Sequence, residues 1–214
     1  MGGNDGLDFL SCDNVVVREC VIKTGDDSIA GFDCCNVLVE NCVLNSSCNA
    51  LRVGGYNFHV KGCRIYGPGE YGHRYFLKKE EKMARNVATP ENSRNNMISA
   101  IQYYCDFRYR IRMPVRMTVE DCEVDNCDIL VSYCFTSPKH IWAKNVPMES
   151  LKIKNVRAAG IKKPCFLCAP EELKLNLSFE DCYIKCEDSN FAVAQNSKIE
   201  FKNVVIEGPK NIID

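Results

Sequence analysis

The sequence contains no apolar run of about 18 residues, the length that crosses a bilayer as a helix, so no transmembrane helix is predicted. An excess of charge of one sign is also missing, since 27 Lys and Arg stand against 28 Asp and Glu, a formal net charge of -1. This balance gives no bulk attraction to nucleic acid or to an anionic membrane, and neither is expected as a partner. Met1 to Asp5 carry neither the basic segment nor the apolar stretch of a signal peptide. The location stays open, and a secreted or periplasmic parent protein is compatible with these features.

Cysteine, by contrast, is abundant, with 15 in 214 residues. A chain of this length can bury a sizeable core, so it does not need the disulfides that hold small secreted folds together. Cys165 and Cys168 form a lone CxxC pair without partners at metal-binding spacing, and no metal is expected there. Five other cysteines stand at matching places in apolar, strand-like segments: Cys20, Cys42, Cys63, Cys122 and Cys182. We therefore predict reduced thiols that pack as small apolar side chains.

Three stretches of the chain repeat one another. Residues 13–22 can be laid over residues 35–44 with an offset of 22, and residues 56–65 follow at a further 21. The shared pattern is Asn, apolar, any, apolar, any, any, Cys, any, apolar, and its period of two is typical of a β-strand. Less regular copies follow at 117–124, 151–156, 177–184 and 199–206.

Repeats of about 22 residues with several short strands each are the signature of a β-solenoid. We predict an all-β fold, a right-handed parallel β-helix in which equivalent residues of successive coils stack about 4.8 Å apart. Val, Ile and Cys fill the interior, and Asn14, Asn36 and Asn57 occupy a turn where their side chains can form a hydrogen-bonded ladder. A leucine-rich repeat has a similar period, but it requires many Leu at fixed offsets and a helical segment per repeat, which this sequence lacks.

The repeat is interrupted between residues 67 and 116. This irregular insertion has a net charge of +5, against -6 for the rest, and residues 74–85 are expected to form a short helix. Insertions between coils usually form a loop on one face of a solenoid. We expect either a solvated surface loop or a basic loop that holds an anionic sugar chain. Residues 1–214 are otherwise predicted to be a single β-helix domain and, because the repeat begins within a unit, an N-terminally truncated part of a longer protein.

Two adjacent carboxylates, Asp26 and Asp27, follow the apolar stretch 21–24. Neighbouring side chains of a strand point to opposite faces, and a buried unpaired charge is costly, so the chain is expected to bend at Gly25. Asp5 lies 21 residues before Asp26, and we expect these two at equivalent positions on adjacent coils. Clustered carboxylates raise the pKa of at least one member, which then serves as an acid beside an ionised base, as glycoside hydrolysis requires.

The two acidic segments, Asn4-Asp5-Gly6-Leu7-Asp8 and Gly25-Asp26-Asp27-Ser28-Ile29-Ala30, resemble those of family 28 glycoside hydrolases, the polygalacturonases of the pectin-lyase-like β-helix superfamily. The resemblance covers residues 4–66 and implies a β-helical hydrolase without a cofactor. It implies that Asp26 is the general acid. It also implies that Asp5 and Asp27 activate water and that the anomeric configuration is inverted.

The sequence departs from this family at two places. Asn49 stands where the family has the His of Gly-His-Gly, and the family's Arg-Ile-Lys has only Arg110-Ile111-Arg112, inside the insertion, as a similar stretch. Arg52, one coil beyond the acidic pair, is a second candidate to bind the substrate. Together with Asn49, Asn4 and His73 it forms the predicted substrate-binding set, and the substrate is an oligo- or polysaccharide, with acidic ones among the candidates.

Two other functions use the same residues. A polysaccharide lyase would hold Ca²⁺, which prefers oxygen ligands, on the acidic strip and use an Arg as base. A non-catalytic β-helix would bind carbohydrate or act as an adhesin, and the replacement of the family's His by Asn49 favours it. Release of unsaturated products would indicate the lyase, and loss of hydrolysis on substitution of Asp26 would indicate the hydrolase.

Overall fold

The computed structural model describes residues 4–84, 86–103, 115–134, 148–169, 171 and 174–213, and it is an all-β structure. The strands are β1 (Leu7–Leu10), β2 (Asp13–Arg18), β3 (Val21–Thr24), β4 (Ile29–Glu40), β5 (Val43–Ser46), β6 (Asn49–Lys61), β7 (Arg64–Tyr66), β8 (Ser99–Tyr103), β9 (Val115–Glu120), β10 (Glu123–Cys127), β11 (Ile129–Cys134), β12 (Met148–Lys154), β13 (Arg157–Ile161), β14 (Cys165–Cys168), β15 (Leu175–Glu180), β16 (Tyr183–Cys186), β17 (Ala192–Gln195), β18 (Ser197–Lys202), β19 (Val205–Glu207) and β20 (Ile212–Ile213). A 3-10 turn (Arg74–Phe76) and helix α1 (Lys79–Met83) complete the described elements. Neither of these helices is long and apolar enough to cross a membrane.

The strands pair in parallel in two curled sheets. The larger runs in the order β18-β15-β12-β9-β6-β8-β11-β14-β17-β20, with β4 beside β6 and both β1 and β2 beside β4. The smaller runs in the order β19-β16-β13-β10-β7-β5-β3. Strands β4 and β6 are long, with 12 and 13 residues. Each pairs along its length with two shorter strands, β4 with β1 and β2, and β6 with β8 and β9. The arrangement is consistent with the predicted β-solenoid.

The core consists of apolar side chains that stack on their equivalents in neighbouring strands. Leu151 in β12 is aligned with Met117 in β9 on one side and with Leu177 in β15 on the other. All three are buried, and buried residues alternate with more exposed ones along β9 and β15. This alternation is the period of two that the sequence shows.

The predicted asparagine ladder is confirmed. Asn36 Nδ2 donates to Asn14 Oδ1 at 3.1 Å, and Asn57 Nδ2 donates to Asn36 Oδ1 at 2.9 Å. All three residues have positive φ, between 54° and 57°. Asn tolerates this left-handed backbone better than most residues, so the same side chain both permits the turn and links successive coils.

A second turn repeats further along the coils, with Asn41, Gly62, Asp121 and Asn155 all at positive φ. Asn41 N donates to the carbonyl just before Gly62, and Gly62 N to the carbonyl just before Asp121. Asn155 Nδ2 then donates to Asp121 Oδ1 at 2.8 Å. Gly62 is the member of this column that has no side chain.

The prediction that the cysteines pack as small apolar side chains is confirmed, since the described cysteine side chains are buried or half-buried. Of the five cysteines that the pattern selected, Cys20 is half-buried and the other four are buried. Cys42 N donates to Cys63 Sγ, and Cys63 N donates to Cys122 Sγ, each at 3.4 Å. Both cysteines of the CxxC pair are buried, in β14.

The insertion between β7 and β8 is shorter than the sequence predicted. Ser99–Tyr103, which the sequence analysis assigned to it, is strand β8 and pairs with β6 and β11. All five residues of β8 are buried, so burial places this short segment in the sheet. The helix predicted over 74–85 consists of the 3-10 turn and α1. Arg110 and Arg112 lie outside the described residues.

Candidate active site

The structure brings the three predicted carboxylates together. Oxygen atoms of Asp5, Asp26 and Asp27 all lie within 4.8 Å of one another. The chain bends at Gly25 and Asp26, between β3 and β4, as expected. Two hydroxyl groups fix this bend, since Thr24 Oγ1 and Ser46 Oγ donate to the Asp26 carbonyl oxygen at 2.7 and 2.6 Å.

The residue equivalent to Asp5 on the next coil is Asp27, and the expectation that it is Asp26 was wrong. Leu7 is aligned with Ile29, which is 22 residues later, and Asp27 N donates to Asp5 Oδ1 at 3.1 Å. The coil at this place is one residue longer than the offset of 21 assumes. Asp5 and Asp27 therefore belong to one column, and Asp26 lies beside it.

The column continues into Asn49 and Ser99. Asn49 N and Nδ2 both donate to Asp27 Oδ1, at 3.1 and 2.7 Å. Ser99 Oγ donates to Asn49 Oδ1 at 2.6 Å. Asn49 is buried and both ends of its amide have protein partners, so its observed role is to orient Asp27.

Arg52 lies between two members of the column. Its Nη2 is 3.2 Å from Asp5 Oδ2, and its Nε donates to Asp27 Oδ2. The Arg52 side chain is 18% exposed, and its guanidinium carbon lies 5.2 Å from the centre of the Phe32 ring. In this structure Arg52 offsets part of the negative charge of the acidic column.

The environments of the carboxylates differ. Burial raises the pKa of Asp26, and the negative charge of Asp5 raises it further. Burial also raises the pKa of Asp27, but Arg52 and Asn49 counteract this by favouring the ionised form. The Asp27 side chain is 4% exposed and that of Asp26 is 23% exposed. Of Asp26 and Asp27, Asp26 is thus the one that combines a raised pKa with access to solvent.

His73 reaches the cluster from the insertion. Its Nε2 lies 3.8 Å from Asp26 Oδ1, and Tyr75 N donates to its Nδ1 at 3.3 Å. This contact assigns the imidazole proton to Nε2, which faces Asp26. Burial lowers the pKa of His73, and the positive charge of Arg94 lowers it further, so the ring is neutral near pH 7.

Sequence analysis missed two members of the cluster. Cys48 lies beside Asp26, and Asn49 Nδ2 is 3.4 Å from its Sγ. Asp8 is exposed, and burial together with the charge of Asp5 raises the pKa of its carboxyl. The sequence offered one indication of Cys48, namely that it directly precedes Asn49, which was already assigned to the site. The predicted Asn4 is exposed at the start of the described chain.

A hard cation such as Ca²⁺ fits the acidic column poorly. Such an ion needs six to eight oxygen ligands, and the charge of Arg52 already lies against Asp5 and Asp27. A Ca²⁺ ion would have to displace this guanidinium. The structure therefore gives the lyase hypothesis no support.

Comparisons of this chain with protein-family models, with curated proteins and with solved structures find no match, so the likeness to family 28 rests on the quoted residues.

Proposed function

We propose that the chain is a glycoside hydrolase that cleaves an oligo- or polysaccharide, on a right-handed β-helix with coils of about 22 residues. The observation that carries this proposal is the contrast within one cluster. Asp26 is a carboxyl group with a raised pKa and partial exposure, and it lies beside Asp5 and Asp27, which share Arg52. Two carboxyl groups in unlike environments supply the acid and the base of glycoside hydrolysis.

In the proposed reaction Asp26 is the general acid. Its proton passes to the glycosidic oxygen as the bond between that oxygen and the anomeric carbon breaks. The leaving sugar departs as an alcohol, and the cationic sugar ring is stabilised by the nearby carboxylates. The raised pKa keeps a larger fraction of Asp26 protonated at a given pH than an ordinary Asp would have.

Asp5 is the better candidate for the base. Both oxygens of Asp27 accept hydrogen bonds from Asn49 or Arg52, and its side chain is only 4% exposed. The Asp5 side chain is 16% exposed and can reach a water molecule from the solvent side. Asp5 then takes the proton of the water that attacks the anomeric carbon, and Asp27 holds Arg52 in place.

Direct attack by water, as in the proposed reaction, inverts the anomeric configuration, whereas attack by a carboxylate would retain it. Inverting enzymes usually hold their two carboxyl groups about 6.5–9.5 Å apart to admit water, and retaining enzymes about 5–5.5 Å. The oxygens of the trio lie within 4.8 Å of one another, which is closer to the retaining spacing. The family resemblance implies inversion. NMR of the anomer first released decides between them.

The substrate is expected to approach past the insertion. Tyr75 and Phe76 are 77% and 59% exposed, and both rings contact His73, which in turn faces Asp26. Exposed aromatic rings bind the apolar faces of sugars. Basic residues surround them, since Lys82 lies against Tyr75 and Arg94 against Phe76.

The test is the release of reducing ends from a panel of neutral and acidic polysaccharides. Asp26→Asn is expected to lower kcat by about 10²–10⁴-fold, the contribution of a general acid. Asp121→Asn is the matched control, because Asp121 is an exposed turn residue in a column that contains asparagines. An active protein that keeps its rate in Asp26→Asn contradicts the proposal. Binding of a polysaccharide without cleavage by the folded protein favours the non-catalytic β-helix.

A further inference from the structure

Asp26 also lies beside a second set of polar side chains. A carboxylate oxygen of Asp26, the sulfur of Cys48 and a ring nitrogen of His73 all lie within 4.8 Å of one another. We propose that these three residues form a binding site for a divalent transition-metal ion of the zinc type. This site does not depend on the proposed hydrolysis.

The mixed donor set determines the class of metal. Thiolate and imidazole ligands favour zinc and similar borderline ions over calcium or magnesium, which prefer oxygen. Three protein ligands of this kind leave the fourth tetrahedral position for water or another ligand. The Asp26 side chain is 23% exposed, so that position can open toward solvent.

The spacing is close to that of a tetrahedral site. Bond lengths of about 2.0–2.3 Å to nitrogen, oxygen and sulfur place tetrahedral ligand atoms about 3.3–3.6 Å apart. The distance between His73 Nε2 and Asp26 Oδ1 is 3.8 Å. The gap between these two atoms exceeds the tetrahedral spacing by only about a few tenths of an ångström.

Three different parts of the chain supply the ligands, and hydrogen bonds hold the backbone of each in place. Ser46 Oγ donates to the Asp26 carbonyl at 2.6 Å and accepts from Cys48 N at 2.8 Å. His73 N donates to the Arg94 carbonyl at 2.7 Å. Asn49 Nδ2 donates to Cys48 Sγ, and a contact of this kind from an outer group helps to orient a metal ligand. The donors are therefore held close together without the metal.

Metal binding at this site must release a proton. Burial and the charges of Asp27 and Asp26 raise the pKa of the Cys48 thiol, so the metal-free group is protonated. The neutral His73 ring carries its proton on Nε2 in the metal-free protein, so binding through Nε2 moves this proton to Nδ1 and ends the hydrogen bond from Tyr75 N. The other charged groups that act on these ligands are Asp5, Arg52, Lys82 and Arg94. Loss of the thiol proton makes metal affinity increase with pH.

A bound ion would engage the carboxylate that the proposed hydrolase uses as its acid. Metal binding would therefore inhibit hydrolysis, and a chelator would restore it. The two proposals fail separately, because metal binding is detected without any substrate. An inactive protein that binds zinc would support the site while contradicting the hydrolase.

The experiment titrates the purified, metal-free chain with Co²⁺ and records the absorption spectrum, followed by displacement with Zn²⁺. A thiolate ligand gives a sulfur-to-cobalt charge-transfer band in the near ultraviolet. The variants are Cys48→Ser and His73→Gln, and Cys20→Ser is the matched control because its half-buried thiol belongs to another column. Circular dichroism verifies that each variant keeps the β-sheet spectrum.

We expect the band in the native chain and in Cys20→Ser, its loss in Cys48→Ser, and at least about tenfold weaker Zn²⁺ binding in His73→Gln. Calorimetry in buffers of different ionisation enthalpy should show proton release. Absence of the band in the native chain, or an unchanged band in a folded Cys48→Ser variant, would overturn the site. Unchanged affinity in a folded His73→Gln variant would overturn the role of the imidazole.

Discussion

Asn49 donates two hydrogen bonds to the same oxygen of Asp27, one from its backbone N–H and one from its side-chain amide. On its other side it accepts a hydrogen bond from Ser99 Oγ at 2.6 Å. A buried carboxylate is costly unless donors surround it, and here the adjacent coil supplies them. Asn49 thus supports the acidic column.

Asn49→Asp is expected to destabilise the fold. The substitution replaces a donor with a second carboxylate next to Asp27, so a buried hydrogen bond is lost and like charges meet. We expect the free energy of unfolding to fall by about 2–3 kcal/mol at neutral pH, measured by urea denaturation. Asn176→Asp, at an exposed residue of β15, is the control and should change stability little. Equal losses in both variants would contradict the assigned role.

Arg52→Gln is expected to weaken both stability and activity. Without the guanidinium, the carboxylates of Asp5 and Asp27 repel each other in a partly buried place. Because Arg52 and Asp5 are partly exposed while Asp27 is buried, we expect a loss of about 1–3 kcal/mol, below the range for fully buried pairs. Arg116→Gln is the matched control, since the Arg116–Glu149 pair is exposed and is expected to contribute about 0–1 kcal/mol. Urea denaturation of both variants compares the two pairs.

Asp26→Asn is expected to stabilise the protein at neutral pH while it removes activity. The folded-state pKa of Asp26 is raised above the ordinary value of 3.8, so the folded protein holds this proton more tightly than the unfolded chain. That contribution to stability is complete below pH 3.8 and is lost as the pH rises through the folded-state pKa. The advantage of the variant should therefore appear at neutral pH and shrink in acid. Thermal unfolding at a series of pH values measures it, and a variant less stable at pH 7 would contradict the prediction.

Gly62→Ala is expected to cost about 1–2 kcal/mol, because Gly62 has φ of +62° and the left-handed region disfavours a Cβ. The added Cβ would also lie 2.4 Å from Asn41 Oδ1. Gly62→Asn should cost less, since Asn tolerates this backbone and its neighbours in the column include Asn41 and Asp121. Denaturant midpoints of the two variants test this order, and a more stable Ala variant would refute it.

The sequence allowed the repeat to be predicted because each coil carries the same local signals. Asn14, Asn36 and Asn57 occupy turns with positive φ and hydrogen-bond to one another across adjacent coils. Both features require an Asn at the same place in each coil, so the sequence shows them as a regular spacing. The spacing also limited the prediction of the site. An error of one residue between offsets of 21 and 22 placed Asp26, instead of Asp27, above Asp5.

The remaining members of the cluster depend on long-range folding. His73 lies in the insertion, and its approach to Asp26 depends on Gly72 N and His73 N donating to Ala88 and Arg94 carbonyls. The repeat pattern of the sequence does not predict hydrogen bonds of this kind. Strand β8 was missed for a similar reason, since its five buried residues follow an irregular stretch and show no alternation. Cys48 belonged to no repeated pattern.

The position of β8 has a consequence for engineering this protein. The chain leaves the coils after Tyr66 and returns at Ser99, which pairs directly with Asn49. The insertion is therefore anchored in the smaller sheet at one end and in the larger sheet at the other, and the acidic column is complete without the residues between them. A segment of different length and composition could be grafted between these two anchors. Such chimeras would vary what lies above Asp26, including His73 and the exposed rings, while the carboxylates, Asn49 and Arg52 keep their places.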